Sequence, residues 1–255
     1  MIRLRLERWI NRIWYAPVKP PLILRAFSAL HKLQHLRAFD KPIADKLNPL
    51  GQPLIVVGNL VAGGTGKTPA VIALVEELTR RGLNVSVISR GYGRKRRRRS
   101  EIIQVTPESL AEQVGDEPLL IAQRTGCAVW VSDDRRTLVE HMKNQVSDVI
   151  ISDDGLQSRS LWRSYEICVV SGERGFGNGY LLPAGPLRDP IDRLKSVDHV
   201  LLAGDPNPQL LESLDKVDVA TSMFLLTPLS LCKADRQDNV PLNHLTGRAV
   251  RAVCG

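Results

Sequence analysis

A chain of 255 residues, 43% of them hydrophobic and 24% charged, has enough apolar material for a sizeable core and fits one large α/β domain or two smaller ones. That balance excludes extensive disorder and a polytopic membrane protein. The net charge of +8 is concentrated: residues 1–40 hold eight Lys and Arg against two acids, and residues 94–99 (RKRRRR) hold six with none. Two basic patches point to an anionic surface or substrate more than to a protein coated evenly by nucleic acid. Cys127, Cys168, Cys232 and Cys254 are widely spaced with no C-x-x-C pair, which suggests neither a zinc site nor a disulfide framework and leaves a reducing cytosol as the default.

The first residues carry Arg3, Arg5, Arg8 and Arg12 between apolar side chains, unlike the unbroken apolar core and cleavage site of a secretory signal. No stretch approaches the roughly 18–20 apolar residues that span a bilayer. Residues 20–36 place Leu22, Ile23, Ala26, Phe27, Leu30 and Leu33 at helical spacing, with Arg25, Lys32 and His35 largely elsewhere on the wheel. Upstream, Trp9, Ile10, Ile13, Trp14 and Tyr15 form a second apolar cluster beside arginines, a composition that suits the headgroup level of a membrane. The other reading is that these helices dock on the core.

From residue 51 short apolar runs alternate with amphipathic segments, the pattern of β-α-β units on a mostly parallel sheet. Strands are predicted at 53–58, 84–89, 127–132, 148–153, 166–171 and 199–204, and helices at about 67–81, 108–125, 134–145 and 206–214. The final GRAVRAVCG (247–255) reads as a strand reaching a glycine turn, where a further element is expected to follow. The expected organisation is therefore basic amphipathic helices over 1–50, an α/β core over 51–226, and over 227–255 the beginning of a second lobe that is cut short.

The stretch VGNLVAGGTGKTPA (57–70) lies between an apolar strand and a predicted helix, the setting of a phosphate-binding loop. Gly63, Gly64 and Gly66 let the backbone fold round phosphate oxygens with its N–H groups inward, Thr65 included, while Lys67 reaches the β- and γ-phosphates and Thr68 ligates Mg²⁺. Val61 occupies the position of the usual first glycine. The compact GGTGKT form resembles the deviant loops of SIMIBI-type ATPases, so the substitution leaves the phosphate nest in place.

A cation bridging phosphates needs an aspartate at the end of a neighbouring strand, and VIISDDGLQ (149–157) supplies Asp153 and Asp154. In GDEP (115–118), Asp116 and Glu117 stand before an apolar segment, where acids suit a helix N-terminus. A kinase also needs a group to orient and deprotonate the attacking hydroxyl, and Asp116 is one candidate. SRGYGR (89–94) follows a strand end and offers Arg90 and Tyr92 to phosphate or sugar. RGFGNGYLLPAGPLRDP (174–190) is too rich in glycine and proline for a regular element; it is a candidate substrate loop, with Asn178 and Arg188, or an ordinary surface loop.

Taken in order, GNLVAGGTGKTP, SRGYGR, GDEP, SDDGLQ and GFGNGYLLPAGPLR behind a basic amphipathic N-terminus resemble the tetraacyldisaccharide 4′-kinase family, the lipid A 4′-kinases of Gram-negative bacteria. The resemblance covers the chain from residue 50 to its end. It implies a P-loop NTPase-like α/β fold and Mg²⁺-ATP-dependent phosphorylation of the 4′-hydroxyl of a tetraacylated glucosamine disaccharide 1-phosphate. It also implies peripheral attachment to the cytoplasmic face of the inner membrane, an anionic surface. By the same resemblance Asp116 becomes the leading base, Lys67 and Thr68 the loop pair, Asp153 and Asp154 the metal acids, and Arg90, Tyr92, Glu117, Asn178 and Arg188 acceptor contacts. Family members are expected to continue past the position of Gly255 into a lobe bearing a histidine motif, which none of His31, His35, His141, His199 or His244 matches. The competing reading is a membrane-associated SIMIBI-type ATPase switch. A nucleic-acid-binding NTPase fits least, since aromatic stacking residues are missing around the arginine run.

Overall fold

The computed structural model describes residues 2–39, 50–95, 100–158, 161–228, 230–232, 239–247 and 249. The predicted strand over 247–255 lies outside these residues apart from Gly247 and Ala249, as does most of the arginine run. The chain divides into two units, Met1–Phe224 and Leu225–Gly255. Within the second, β9 (Ser230–Cys232) and β10 (Asn239–Pro241) form an antiparallel ribbon.

The first unit opens with helices α1 (Ile2–Tyr15) and α2 (Leu22–Phe39). It continues through β1 (Leu54–Gly58), α3 (Lys67–Arg80), β2 (Val85–Ser89), β3 (Ile103–Val105), α4 (Ala111–Val114), α5 (Asp116–Thr125), β4 (Ala128–Val131) and α6 (Arg135–Met142). It ends with β5 (Val149–Asp153), β6 (Tyr165–Ser171), β7 (His199–Ala203), α7 (Pro208–Leu214) and β8 (Ala220–Phe224). The eight strands form one sheet in the order β3-β4-β2-β5-β1-β6-β7-β8. All neighbours run parallel except β3, which returns antiparallel on β4.

Successive residues of a strand face opposite sides of the sheet, so a strand covered on both faces reads as an unbroken apolar run. The central strands divide this way: Val56, Ile88 and Ile150 join one core cluster, and their neighbours Val57, Val87 and Ile151 the other. The first cluster is closed by Leu138 and Met142 of α6 and by Leu210 and Leu214 of α7. The second is closed by Val71 and Val75 of α3 and by Ile121 and Ala122 of α5.

The sequence predicts one helix over 108–125, whereas the chain breaks it at Gly115 (φ 95°) into α4 and α5. A β-carbon at Gly115 would lie 3.0 Å from the Tyr92 carbonyl oxygen. The break therefore lets the SRGYGR turn lie against the start of α5. Strands β3 and β8 also escape the sequence pattern. The first is three residues long and the second exposes most of its side chains, so neither shows an apolar run.

α1 and α2 both dock and expose apolar surface. Ile13 of α1 is buried while Leu6 and Trp9 are open to solvent. On α2, Ser28 is buried, whereas Leu22 (77% exposed), Ile23, Phe27 (56%), Leu30 and Leu33 point outward. Ordinary surface helices are arranged the other way round. Among the described residues no helix is long and apolar enough to cross a membrane.

At the start of β6, Glu166 is buried and accepts hydrogen bonds from two buried arginines, Arg193 at 2.5 Å and Arg163. Breaking a buried ion network strands the remaining charges in low dielectric. Glu166→Ala is expected to lower unfolding stability by about 3–5 kcal/mol, which urea denaturation will measure.

Candidate active site

The β1–α3 turn begins with two strand-like residues and only then becomes a loop. Val61 is buried and forms an antiparallel bridge with Leu187, the Ala62 N–H donates to the Pro186 carbonyl at 2.7 Å, and the Arg188 N–H donates to the Leu60 carbonyl at 2.6 Å. A side chain is therefore wanted at position 61, where the common motif has glycine. The left-handed turns come later, at Gly63 (φ 107°) and Gly66 (φ 91°). The Nδ2 of buried Asn59 braces the loop from beneath, donating to Thr65 Oγ1 at 3.0 Å and to the Gly63 carbonyl at 3.4 Å.

Gly66 is the N-cap of α3 and gives it no side-chain cap. The first-turn N–H groups of a helix have no intrahelical partner, and together with the helix dipole they favour a bound anion. Lys67, the first helical residue, is buried with its Nζ 3.6 Å from Asp154 Oδ1. Arg188 Nη1 meets both oxygens of the same carboxylate, at 3.2 and 3.1 Å.

Parallel register brings the acids to this edge of the sheet. Val57 pairs with Asp153 across β1–β5 and Ile88 with Ser152 across β2–β5, so the ends of β1, β2 and β5 lie side by side. Asp153 is buried and accepts from Ser89 Oγ at 3.2 Å. Burial, then the nearby charges of Glu117 and Asp154, push its carboxyl up to about 6, with Lys67 and Ser89 partly offsetting them. Burial also acts on Asp154, but there the attraction of Lys67, Arg188 and Arg135 prevails and the carboxyl is held below the usual range.

Sequence reading missed Arg135. Its Nη1 donates to Ser152 Oγ at 2.6 Å and its Nη2 to the carbonyls of Asp153 (3.2 Å) and Asp154 (2.6 Å). It thereby ties α6 to the strand end carrying both acids, and burial lowers its pKa. Only its position just after Asp134, the N-cap of α6, marked a helix start there.

A cavity of about 650 Å³ lies over the loop, lined by Ala62–Pro69, Tyr92, Glu117, Asp154 and Arg188. Arg90 lines a neighbouring cleft with Arg135, Arg136 and Gln157, and Asp154 and Arg188 border both spaces. Asp116, exposed at the first position of α5, is not among the residues lining the cavity; Glu117 is. Asn178 departs from expectation: it contributes to a separate cavity beside α1, and its side chain is engaged by the carbonyls of Ile13 and Ala184.

The donor set fits a divalent cation. Asp153 Oδ1 is a buried acceptor with no hydrogen-bond partner among the described residues. With Asp154 and the Thr68 hydroxyl it makes a hard-oxygen set of the kind Mg²⁺ prefers. No group of three or more His, Cys, Asp or Glu able to hold a metal occurs among the described residues.

A glycine-rich turn between a central parallel strand and a helix, with a lysine at the helix start and acids on the adjacent strand end, defines a nucleotide-binding protein of the P-loop α/β class. A family model for tetraacyldisaccharide-1-P 4′-kinase matches residues 21–255. Tetraacyldisaccharide 4′-kinase of Methylobacillus flagellatus is 42% identical over 98% of this chain and 72% of its own length; that of Alcanivorax borkumensis is 44% identical over 78% of this chain and 60% of its own. The crystal structure of the "apo" form of LpxK from Aquifex aeolicus in complex with ATP superposes with a TM-score of 0.62 at 27% identity, covering 98% of this chain and 73% of that one. The chain belongs to the tetraacyldisaccharide-1-P 4′-kinase family, whose members are ATP-dependent lipid A 4′-kinases.

If residue 61 is a paired core position, restoring the consensus glycine does harm. Val61→Gly is expected to cost about 2–4 kcal/mol from lost burial and added chain entropy without tightening ATP binding. Thermal denaturation and titration with a fluorescent ATP analogue check the two parts separately.

Proposed function

We propose that this chain transfers the γ-phosphoryl group of ATP to the 4′-hydroxyl of a tetraacylated glucosamine disaccharide 1-phosphate in lipid A synthesis. In this reading Mg²⁺ sits at the phosphates, and α1 and α2 rest on the anionic cytoplasmic face of the inner membrane. The observation that carries it is the single cavity in which the glycine loop, Lys67, Thr68, Glu117, Asp154 and Arg188 converge.

Phosphoryl transfer asks a protein for positioning and for charge stabilisation on the phosphoryl oxygens. The amides of residues 63–68 cradle the β-phosphate, and Lys67 reaches the β- and γ-oxygens from the helix start. Thr68, Asp153 and Asp154 would hold Mg²⁺, which would supply charge neutralisation for the phosphates when bound. Arg188 borders both the nucleotide cavity and the neighbouring arginine-lined cleft, which suits a group that meets the phosphoryl oxygens and the anionic acceptor. Arg90 and Tyr92 contact the sugar or its phosphate.

Asp116 is exposed beside Glu117 and so is open to a hydroxyl arriving from outside the nucleotide cavity. It accepts the proton of the 4′-hydroxyl as that oxygen bonds to the γ-phosphorus and the bridging oxygen leaves with ADP. General-base contributions are typically about 10²–10⁴-fold. Asp116→Asn is accordingly expected to lower kcat by about that factor while ATP affinity stays within about threefold. Comparable losses in both would remove Asp116 from the role.

The reading as a whole is tested by incubating γ-labelled Mg-ATP with detergent-dispersed tetraacyldisaccharide 1-phosphate. Label in the lipid is the expected result. ATP hydrolysis with no lipid label would instead favour an ATPase switch. For the membrane seat, vesicles containing phosphatidylglycerol are expected to sediment the protein in a salt-sensitive way, and the pair Phe27→Glu and Leu30→Glu to release it. Retention of that double variant would show that the exposed face of α2 is not the contact.

A further inference from the structure

A helix leaves its last four carbonyls without intrahelical partners. At the end of α1 the Arg12 carbonyl accepts from the Ala16 N–H at 3.1 Å, and the next two are taken by a residue far along the chain. Asn178 Nδ2 donates to the Ile13 carbonyl at 2.9 Å, and the Asn178 backbone N–H donates to the Trp14 carbonyl at 2.8 Å. Nδ2 also donates to the Ala184 carbonyl at 2.9 Å, while Oδ1 accepts from the Tyr180 N–H at 3.1 Å. Both donors and the acceptor of this amide are thereby in use.

The surrounding glycines clear space for this arrangement. Gly177 has φ 58°, and a β-carbon there would lie 2.6 Å from the Trp14 carbonyl oxygen; one at Gly185 would lie 2.2 Å from Asn178 Oδ1. Trp14 adds an indole N–H bond to the Pro183 carbonyl at 3.2 Å. Beyond Gly185 the chain passes directly into the residues paired with the phosphate loop: Pro186 with Ala62, Leu187 with Val61, and Arg188 with Leu60 through its backbone and with Asp154 through its side chain. Tyr180, Pro183 and Ala184 are thus held at one end of this path, and Pro186, Leu187 and Arg188 at the other.

We propose that Asn178 is a positioning residue for phosphoryl transfer. By capping α1 and closing the 178–187 turn, it sets the backbone from which Arg188 reaches Asp154, and it makes the seating of α1 part of the phosphate-site geometry. The proposal rests on the reading of Asp154 and Arg188 as phosphate-site groups. Asn178 touches no substrate in this scheme and acts only through Arg188.

The test compares wild type, Asn178→Ala, Arg188→Ala and the double variant in lipid phosphorylation. Asn178→Ala is expected to lower kcat about tenfold to a hundredfold, the range a modest misplacement of a catalytic group produces, with KM for ATP changed less than about threefold. In the Arg188→Ala background the same change should cost less than about twofold. Full multiplication of the two losses would overturn the proposal and leave Asn178 a purely structural residue. Should Asn178→Ala fold poorly, Trp14→Phe, which removes the indole N–H bond to Pro183 while keeping a smaller aromatic ring, should shift kcat in the same direction by a few-fold and be masked by Arg188→Ala in the same way.

A second readout does not require the lipid. Binding of Mg-ATP is expected to slow amide hydrogen exchange over residues 178–188 and at the end of α1 in the wild type, and to lose that effect in Asn178→Ala, because coupling between two sites is reciprocal. An unchanged response in the variant would overturn the proposal. Failure of lipid labelling alone, with this exchange pattern intact, would count against the proposed substrate and leave the coupling standing.

Discussion

The carboxylate of Asp154 is shared by two cations that reach it from different parts of the chain. Lys67 comes from the first turn of α3 and Arg188 from the far end of the 178–188 turn. Two positive groups converge here because a negative one lies between them, and Lys67, the buried one of the three, would be the costliest to leave unpaired. The backbone is shaped to hold that anion: Asp154 adopts φ 50°, and Arg135 donates to the carbonyls of Asp153 and Asp154. At Gly155 a β-carbon would fall within 2.8 Å of both Ser152 Oγ and Val56. The two contacts to Asp154 differ in closeness. Arg188 meets both carboxylate oxygens within 3.2 Å, whereas Lys67 stands 3.6 Å from one. On the proposed reading, a phosphate entering the loop competes for the lysine first, because its existing contact is the looser of the two.

Everything else at this edge of the sheet serves to bring distant residues to that carboxylate. Parallel pairing aligns the ends of β1, β2 and β5, which puts the glycine loop, Ser89 and the acid pair in one row without any loop having to reach. The break at Gly115 then lets α5 present Glu117 to the cavity, close enough for its charge to bear on Asp153. The cavity thus brings Lys67 and Arg188 together with Asp154 and Glu117.

How much of this is legible in the sequence depends on how local each signal is. Lys67, Thr68 and the glycines are written in six consecutive residues, and the paired acids follow an apolar strand, so both could be placed from spacing alone. The six apolar strands and the start of α3 were legible for the same reason. Arg135 was not, since its role depends on α6 lying over the end of β5, a long-range contact with no local mark. Val61 looked like a defect in a motif because the motif does not record the partner strand-like segment at 186–188. Asn178 was read as a loop residue near the acceptor, whereas its amide meets α1, a helix some 165 positions earlier. The single helix expected over 108–125 failed at a glycine whose left-handed backbone answers to Tyr92, again a non-local demand.

The outward apolar face of α2 and the inward charge cluster pose one mechanical problem between them. An acylated acceptor is held at the height of its membrane, and ATP is soluble, so an enzyme joining them has to fix its phosphate site at a set distance from the interface. A flexible tether would permit many heights and lose most of the orientation on which transfer depends. The geometry here is stiff instead: the end of α1 is capped by Asn178 and Trp14 is bonded to Pro183, and the same turn is zipped to Leu60–Ala62 at the phosphate loop. On the proposed reading, the helix that meets the lipid and the loop that meets the nucleotide are joined by about ten residues whose backbone is held by hydrogen bonds at Asn178, Tyr180, Leu182, Gly185, Leu187 and Arg188. Such a strut transmits position because its hydrogen bonds leave it few alternative conformations.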